Sequence, residues 1–293
     1  MNNKPVLGII GGSGLYEIDG LQNTSWQKFP SAFGEPSDAL LCGELNQQKI
    51  VFLPRHGRDH QTPPSQINFR ANIDILKKAG VTDIISISAV GSLQEKLTPG
   101  MFVIVDQFID RTFAREKSFF GPGLVAHVSM AHPVCNRLGD HLEKATRNCG
   151  IEVVRGGTYL VMEGPQFSTL AESNLYRSWN CDVIGMTNMP EAKLAREAEI
   201  CYATVAMVTD FDCWHPEHDN VSVEAILNVL HANANNGRSM IKNVAPTIHA
   251  EPSASNCHCK KSLQNAILTP PEARDEAMID QLSAVAGRVL KSP

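Results

Sequence analysis

The stretch Glu199-Ile-Cys-Tyr-Ala-Thr-Val-Ala-Met-Val-Thr-Asp-Phe-Asp-Cys-Trp214 decides the fold prediction. From Cys201 to Val208 it is a run of apolar, small and β-branched residues, which is typical of a strand buried on both faces. Asp210 and Asp212 follow, and in an extended chain residues i and i+2 point the same way. The two acids either cap the next helix, lie solvated in a loop, or belong to a site at the carboxyl end of a strand.

The composition of the chain narrows the class of protein. It has 293 residues, of which 43% are hydrophobic and 19% charged, as expected for a globular protein with a sizeable core. The formal net charge of −5 argues against nonspecific nucleic-acid binding, which needs a basic face. The sequence contains no apolar run of membrane-spanning length and no signal-peptide pattern. We therefore expect a cytoplasmic protein with neither a membrane nor a nucleic-acid partner.

Strand and helix patterns alternate along the chain, which predicts an α/β fold with a mostly parallel or mixed central sheet. No repeat or linker is visible, so we expect one domain over 1–293, with a core of about 5–245 and a C-terminal helical extension of about 246–293. Helices are predicted at 66–79 (capped by Ser65), 133–149, 168–179 (capped by Ser168), 190–199, 223–244 and 271–290. A polar hinge is predicted at 246–256, and single strands at 101–109 and 151–162.

Polar clusters follow most of the predicted strands, at 11–14, 55–58, 88–92, 163–167, 186–187 and 210–212. If those strand ends share one rim, they form one site with an anion-binding half and a carboxylate half. The first half would contain Ser13, Arg55, His56, Ser88, Ala89 and Thr187, and the second Glu163, Asp210 and Asp212. Such a division suits a nucleoside and a phosphate. The glycine loop at 11–14 has no third glycine in register, so a nicotinamide-dependent oxidoreductase is the weaker interpretation.

The eight cysteines are scattered, and only Cys257-His258-Cys259 is a cluster. A zinc site would need two further ligands, and C-x-C is not the usual ligand spacing. Inert thiols or a disulfide are therefore favoured over a metal site, and we expect no metal and no organic cofactor.

Seven motifs in order resemble one known family. They are Gly11-Gly-Ser-Gly-Leu15, Pro54-Arg-His-Gly-Arg58, Ala89-Val-Gly-Ser-Leu93, Asp106-Gln-Phe-Ile-Asp-Arg111, Glu163-Gly-Pro-Gln-Phe-Ser168, Met186-Thr-Asn-Met-Pro-Glu191 and Thr209-Asp-Phe-Asp-Cys-Trp214. The chain from about Pro5 to Asn235 resembles the S-methyl-5′-thioadenosine phosphorylase family, of the trimeric purine nucleoside phosphorylase class. The resemblance implies a three-layer sandwich with a mixed, partly barrel-like sheet. It also implies a homotrimer, or a hexamer built as a dimer of trimers. Cys257 and Cys259 resemble a CxC element of some relatives that carry disulfides.

The resemblance also implies residue roles. Phosphate, a co-substrate, would be bound by Ser13, Arg55, His56, Ser88, Ala89 and Thr187. The nucleoside would be bound by Phe167, Ser168, Met186, Thr209, Asp210, Asp212, Val223 and Leu227, together with His127 from a neighbouring subunit. Asp210 and Asp212 would be catalytic, with Asp210 protonating the departing purine. That role requires a raised pKa, which burial and Asp212 would supply.

Two carboxylates at the base edge favour a 6-amino purine, because they accept hydrogen bonds from an amino group. An enzyme acting on S-methyl-5′-thioinosine, or a general purine nucleoside phosphorylase, is the alternative within the family. A nucleoside-binding protein without turnover is the alternative of another class. Gly185 departs from relatives that carry Asn there, which predicts a missing polar contact near the sugar.

Overall fold

The computed structural model of the chain describes residues 4–12, 14–15, 17–216, 223–250 and 257–290, without the side chains of 223–226 and 228. Strands within these ranges are β1 (Leu7–Gly11), β2 (Leu21–Gln27), β3 (Leu40–Leu45), β4 (Gln48–Pro54), β5 (Asp83–Ser92), β6 (Phe102–Ile104), β7 (Gln107–Asp110), β8 (Val153–Arg155), β9 (Thr158–Val161), β10 (Val183–Gly185) and β11 (Cys201–Asp210). The α-helices are α1 (Phe69–Lys78), α2 (Asn136–Asn148), α3 (Leu170–Ser178), α4 (Glu191–Glu197), α5 (Val223–Ala250), α6 (Glu276–Gln281) and α7 (Ser283–Leu290).

The strands form one mixed sheet that branches at β5. One path runs β2-β3-β4-β1-β5-β10-β9-β7, and a second leaves β5 through β11 and β6 to β8. Strands β1, β4, β5 and β11 are mutually parallel through their pairings, whereas β10 runs antiparallel to β5. The carboxyl ends of the four parallel strands therefore lie at the same edge of the sheet, as the sequence predicted.

The two branches are joined by two short connections, at 105–106 between β6 and β7 and at 156–157 between β8 and β9. The N–H of Gly157 donates to the Asp106 carboxylate at 3.1 Å. Gly156 and Gly157 both have positive φ, 89° and 129°, and each would bring an added Cβ to within 3.4 Å of an aspartate side chain. Only glycine suits this double turn. The predicted single strands at 101–109 and 151–162 were therefore wrong, since each is two strands separated by a turn.

Strand β11 lies at the centre of the core, and its side chains alternate between two apolar clusters. Tyr202, Ala206 and Val208 belong to one cluster. Cys201, Ala203, Val205 and Met207 belong to the other. Helices α2, α4 and α5 all pack on β11. Helix α1 packs on α4, and α7 packs on α1. The prediction of a strand buried on both faces is confirmed, and with it the mixed α/β fold class.

Helix ends were predicted less well than helix positions. Asn68, not Ser65, caps α1 by accepting the Ala71 N–H, because Ser65 belongs to a separate 3₁₀ turn, Pro64–Gln66. Thr169, not Ser168, caps α3 in a reciprocal capping box with Glu172.

The C-terminal part also differs from the prediction. Helix α5 continues through Pro246 to Ala250, so the predicted hinge is wrong over 246–250, and 251–256 lie outside the described residues. The predicted helix at 271–290 divides into a 3₁₀ turn, Pro271–Ala273, and the helices α6 and α7. None of the helices in the described ranges combines the length and the apolar content that a membrane crossing requires. Helix α7 packs on α1, while a single domain over 1–293 stays a prediction.

Candidate active site

A cavity of about 590 Å³ opens at the carboxyl edge of the parallel strands, which is a usual size for a small-molecule site. Ten of the residues predicted for the site line it together: Arg55, His56, Ser88, Ala89, Phe167, Met186, Thr187, Thr209, Asp210 and Asp212. They come from β5, from β11 and from the segments that follow β4, β9, β10 and β11. The residues that the sequence assigned to one site therefore surround one and the same cavity.

Hydroxyl groups and backbone meet at one end of this cavity. Because β10 runs antiparallel to β5, pairing Ile184 with Gly91, the residues after Gly185 run back beside Ala89 and Ser88. The Ser88 hydroxyl donates to Asn188 Oδ1 at 3.1 Å. The Arg55 N–H donates to Gly11 O at 2.9 Å, which holds the glycine loop against the start of the 55–58 loop. These bonds bring the hydroxyls of Ser88 and Thr187 and the backbone of Ala89 to one end of the cavity, a grouping that suits an anion.

His56 completes this end of the cavity in a neutral form. Its Nδ1 lies 2.8 Å from Thr62 O, and a carbonyl only accepts, so Nδ1 carries the proton and Nε2 is an acceptor. Burial lowers the pKa of His56 to about 4, and the charge of Arg55 adds to that effect. A neutral His56 would accept a hydrogen bond from a protonated phosphate oxygen.

Arg55 is buried beneath the cavity and bound on several sides. Its Nε donates to Glu191 Oε2 at 3.0 Å, and its Nη1 donates to Ile87 O at 3.0 Å. Its Nη2 donates to the Ser86 hydroxyl at 2.6 Å. Burial alone would lower the pKa of Arg55, but the Glu191 carboxylate raises it above its usual value. The guanidinium is thus a fixed positive charge under the anion-binding end.

The acids stand at the other end of the cavity. Asp210 ends β11, and Asp212 has φ 51°, so they meet through a tight turn and not through the extended alternation that the sequence suggested. The Asp212 N–H donates to Asp210 Oδ1 at 2.8 Å. Burial raises the pKa of both carboxyls, and the charge of Asp210 adds to the effect on Asp212. Phe211, between them, is buried.

Thr209 lets Asp210 exist in either protonation state. Its hydroxyl oxygen lies 2.7 Å from Asp210 Oδ2 and 3.2 Å from Val90 O. When Asp210 is ionised, the hydroxyl donates to the carboxylate. When Asp210 is protonated, the hydroxyl can turn its proton to Val90 O and accept the carboxyl proton. Either form keeps its hydrogen bonds, which is what a proton donor in a buried site needs.

The wall near the acids is apolar. Phe167 lines the cavity with 44% of its surface exposed. Met186 lies against Gly164, where an added Cβ would come within 2.5 Å of its sulfur. Ser168 does not line the cavity; its carbonyl accepts a bond from Cys213 behind the acids, at 3.4 Å.

Some predicted residues lie elsewhere. His127 lines a second cavity of about 400 Å³ with Lys117 and Glu197. Leu227 is exposed and does not line the main cavity, whereas Leu230 and Ala234 of the same helix do. Ser13 and the side chain of Val223 lie outside the described residues. Assigning Glu163 to the carboxylate half was wrong, because it binds Arg115 at 3.1 Å and the Phe113 N–H, and does not line the cavity.

Sequence reasoning missed the polar residues beneath the cavity. Glu191 Oε1 accepts from the Ser86 hydroxyl at 2.6 Å and from the Tyr202 hydroxyl at 2.9 Å. Asn188 Nδ2 donates to the same Tyr202 hydroxyl at 2.9 Å. Asn188 and Glu191 stand in the motif 186–191, but their residue types alone gave no sign of burial. The available signal of a buried polar network was a hydroxyl residue inside each apolar strand, Ser86 in β5 and Thr204 in β11.

Comparison with known proteins identifies relatives over nearly the whole chain. The model of the phosphorylase superfamily matches residues 6–245. S-methyl-5′-thioadenosine phosphorylase from Rhodospirillum rubrum is 64% identical over 287 residues, covering 98% of each chain. A crystal structure of methylthioadenosine phosphorylase from an Antarctic soil metagenomic library has a TM-score of 0.91 at 48% identity, covering 97% of this chain and 99% of that one. Methylthioadenosine phosphorylase from Schistosoma mansoni in complex with adenine has a TM-score of 0.81 at 36% identity, covering 90% and 99%.

Removing the charge of Glu191 should destabilise the protein strongly. Glu191→Gln keeps the size of the side chain but leaves Arg55 as a buried charge without a counter-ion, which costs about 3–5 kcal/mol. The free energy of unfolding in urea measures this loss. Glu143→Gln is the control, because its exposed pair with Arg147 contributes only about 0–1 kcal/mol. Equal, small changes in both variants would contradict the importance of the buried pair.

The raised pKa of Asp210 should make its contribution to stability depend on pH. Because the folded state holds this proton more tightly, the wild type loses stability relative to Asp210→Asn as pH rises above 3.8, the ordinary value. The advantage of the variant, measured by urea unfolding, should therefore grow as pH rises from 3.8 and level off above the raised pKa.

Asp110 provides the control of opposite sign for that experiment. Although burial alone would raise its pKa, bonds from Lys193 and Thr112 lower it to about 2. Its stabilising effect is present above pH 3.8 and is lost only as pH falls toward 2. Asp110→Asn should therefore be destabilised by about 2 kcal/mol, nearly constant from pH 4 to 8. If the stability difference between the wild type and Asp210→Asn were also independent of pH, the raised pKa of Asp210 would be contradicted.

Proposed function

The chain belongs to the phosphorylase superfamily, and we propose that it cleaves S-methyl-5′-thioadenosine with inorganic phosphate to adenine and 5-methylthioribose 1-phosphate. The observation that carries the proposal is one cavity with hydroxyl and backbone groups over the Arg55 charge at one end and two acids of raised pKa at the other end. The relatives named above as methylthioadenosine phosphorylases support the same substrate. The reaction needs no organic cofactor or metal, and it would serve purine and methionine salvage in the cytoplasm.

The chemistry follows from the positions of the two ends. A phosphate oxygen attacks the anomeric carbon as the bond to purine N9 breaks, and the sugar passes through an oxocarbenium-like state. Phosphate bound over the Arg55 charge stabilises that state electrostatically. The electron pair of the broken bond goes to the purine, which takes a proton at N7 from Asp210. Asp210 is then ionised and keeps the Thr209 hydroxyl and the Asp212 N–H as donors.

Asp212 supports the preference for a 6-amino purine. Its carboxyl group lines the cavity, and in the ionised form it offers only hydrogen-bond acceptors. The amino group of adenine would supply a donor, whereas the 6-oxo group of hypoxanthine is another acceptor. Phe167 would stack on the purine and Met186 would lie under the ribose. His127 of a neighbouring subunit, with Val223 and Leu227, would wall the methylthio group.

The proposal predicts phosphate-dependent release of adenine from S-methyl-5′-thioadenosine, followed by chromatography of the base. Asp210→Asn should lower kcat by about 10²–10⁴-fold and leave the KM for phosphate nearly unchanged, while exposed Asp280→Asn should match the wild type. Adenine release without phosphate would indicate hydrolysis. Turnover of S-methyl-5′-thioinosine in place of the adenosine substrate would favour the 6-oxo alternative, and binding without turnover of either would favour a nucleoside-binding protein.

We also propose a homotrimer in which His127 reaches a neighbouring site. His127 is exposed and its N–H binds Ala266 O at 2.8 Å, in a pairing that also carries the exposed apolar side chains of Val125 and Leu268. Exposed apolar groups of this kind favour self-association.

Light scattering should give a mass of three 32.0 kDa chains, or six if two trimers associate. Leu268→Asp should shift this mass toward the monomer and raise the KM for the nucleoside, because His127 is lost from the neighbouring site. Asp280→Asn, an exposed change outside this surface, should affect neither. A monomeric wild type with full activity would contradict the shared site.

A further inference from the structure

Four cysteines meet at the amino end of β11, away from the cavity. Cys135 precedes α2, Cys201 begins β11, and Cys257 and Cys259 lie at the 3₁₀ turn His258–Lys261. Their four Sγ atoms all lie within 4.8 Å of one another. Cys257 Sγ is 3.6 Å from both Cys135 Sγ and Cys201 Sγ. The chain brings these thiols together from positions 122 and 56 residues away from Cys257.

The arrangement matches a tetrahedral metal site. With zinc–sulfur bonds of about 2.3 Å, neighbouring sulfurs of a tetrahedron are about 3.8 Å apart. Two packed thiols at that distance would be ordinary van der Waals contact. Four thiols in mutual proximity are not ordinary, because cysteines packed only as small hydrophobes do not need to converge on a common centre.

The protein positions these ligands firmly. The Cys135 N–H donates to Tyr202 O at 2.7 Å, and the Cys201 N–H donates to Thr82 O at 3.1 Å. The Lys260 N–H donates to Cys257 O at 3.1 Å and closes the turn that carries Cys259. Cys135, Cys201 and Cys259 are buried and Cys257 is half-buried, so the group is enclosed with one side open for entry of an ion.

The surrounding charge suits an anionic centre. Four thiolates around a divalent ion carry a net charge of −2, which is costly to bury without nearby cations. Arg137 lies beside the Cys201 thiol and also pairs with Asp83. Arg196 lies near Cys259, and Lys260 follows that ligand along the turn. These cations offset part of the charge of a tetrathiolate.

We propose that Cys135, Cys201, Cys257 and Cys259 bind one zinc ion in a closed, four-coordinate structural site. Four thiolates in tetrahedral geometry suit zinc or an iron–sulfur centre, and a closed site of four cysteines around one ion is the structural zinc type. The site lies at the opposite end of β11 from Asp210, about 30 Å away at 3.3 Å per residue, so the ion takes no part in the reaction. It fastens the segment after residue 256 to the amino ends of α2 and β11.

Metal content tests the proposal directly. Untagged full-length protein, purified under reducing conditions from zinc-supplemented cells, should contain about one zinc per chain by plasma mass spectrometry. Exchange with Co²⁺ should give the thiolate-to-cobalt charge-transfer band and the visible bands of a tetrahedral tetrathiolate. Protein that contains no zinc and shows no such spectrum with Co²⁺ would overturn the site.

Matched variants assign the ligands. Cys257→Ser, at the half-buried position, should lose the zinc and lower the melting temperature, with phosphorolysis at moderate temperature retained. Cys181→Ser is the control, since Cys181 is a buried cysteine outside the cluster; it should retain the zinc. If Cys257→Ser fails to fold, the wild type is treated with a mercurial reagent that reacts with thiolates. The zinc that this reagent releases is then measured with a chromogenic chelator.

The competing use of these thiols is also measurable. Two disulfides would lower the intact mass of protein prepared without reductant by four hydrogens and would leave no thiol to ligate a metal. Non-reducing peptide mapping would then find linked peptides from among residues 135, 201, 257 and 259. If such linkages are found in zinc-free protein, and the reduced protein takes up no metal, the four cysteines form a disulfide cluster and the metal site is contradicted.

Discussion

The buried ion pair between Arg55 and Glu191 is the constraint on which the site depends. Its two side chains are each 3% exposed, and they join the segment after β4, which lines the cavity, to the start of α4. Arg55 follows β4, and Glu191 begins α4. A buried pair of this kind contributes little net free energy by itself, but removal of either partner leaves an uncompensated charge. The pair therefore fixes where β4 and α4 stand relative to each other.

The hydroxyl groups around the pair extend this constraint to the neighbouring strands. Ser86 of β5 lies between Arg55 and Glu191, and Tyr202 of β11 donates to Glu191. Asn188 joins the same group to Ser88, which lines the cavity. The positions of the groups proposed to bind phosphate are thus set by bonds made below them. A buried network with nearly all of its groups satisfied is rigid, and rigidity is what the proposed anion site would require.

The sequence predicted the elements and the rim of the site because both rest on local patterns. The alternating clusters on β11 follow from its apolar run, and ten rim residues follow from motifs at strand ends. Helix caps were predicted less well at Ser65 and Ser168, because several hydroxyl and amide residues stand close together and only backbone dihedrals choose among them. Glu163 was misassigned for a similar reason. A carboxylate at a strand end faces the cavity or a neighbouring loop, and Arg115 is 48 residues away.

The group of four cysteines and the network under the cavity escaped prediction because both need long-range contacts. Cys257 and Cys259 stand close in sequence, but the other two thiols come from the starts of α2 and β11. The sequence around Cys135 or Cys201 does not distinguish a metal ligand from a small hydrophobic residue. The register of β5 with β11, which pairs Cys201 with Asp83 and Ala206 with Ser88, sets both ends at once. One strand therefore carries the thiol group at its start and the acids at its end.

Gly185 shows how one strand limits the side chain of its neighbour. A Cβ at this position would lie 2.0 Å from the Tyr159 hydroxyl, so no side chain fits there while Tyr159 is present. That hydroxyl in turn lies 3.5 Å from the Ser88 hydroxyl. The space beside β10 is filled from β9 by a fully buried phenol. Glycine at 185 and tyrosine at 159 are therefore a coupled pair, because each residue is possible only beside the other.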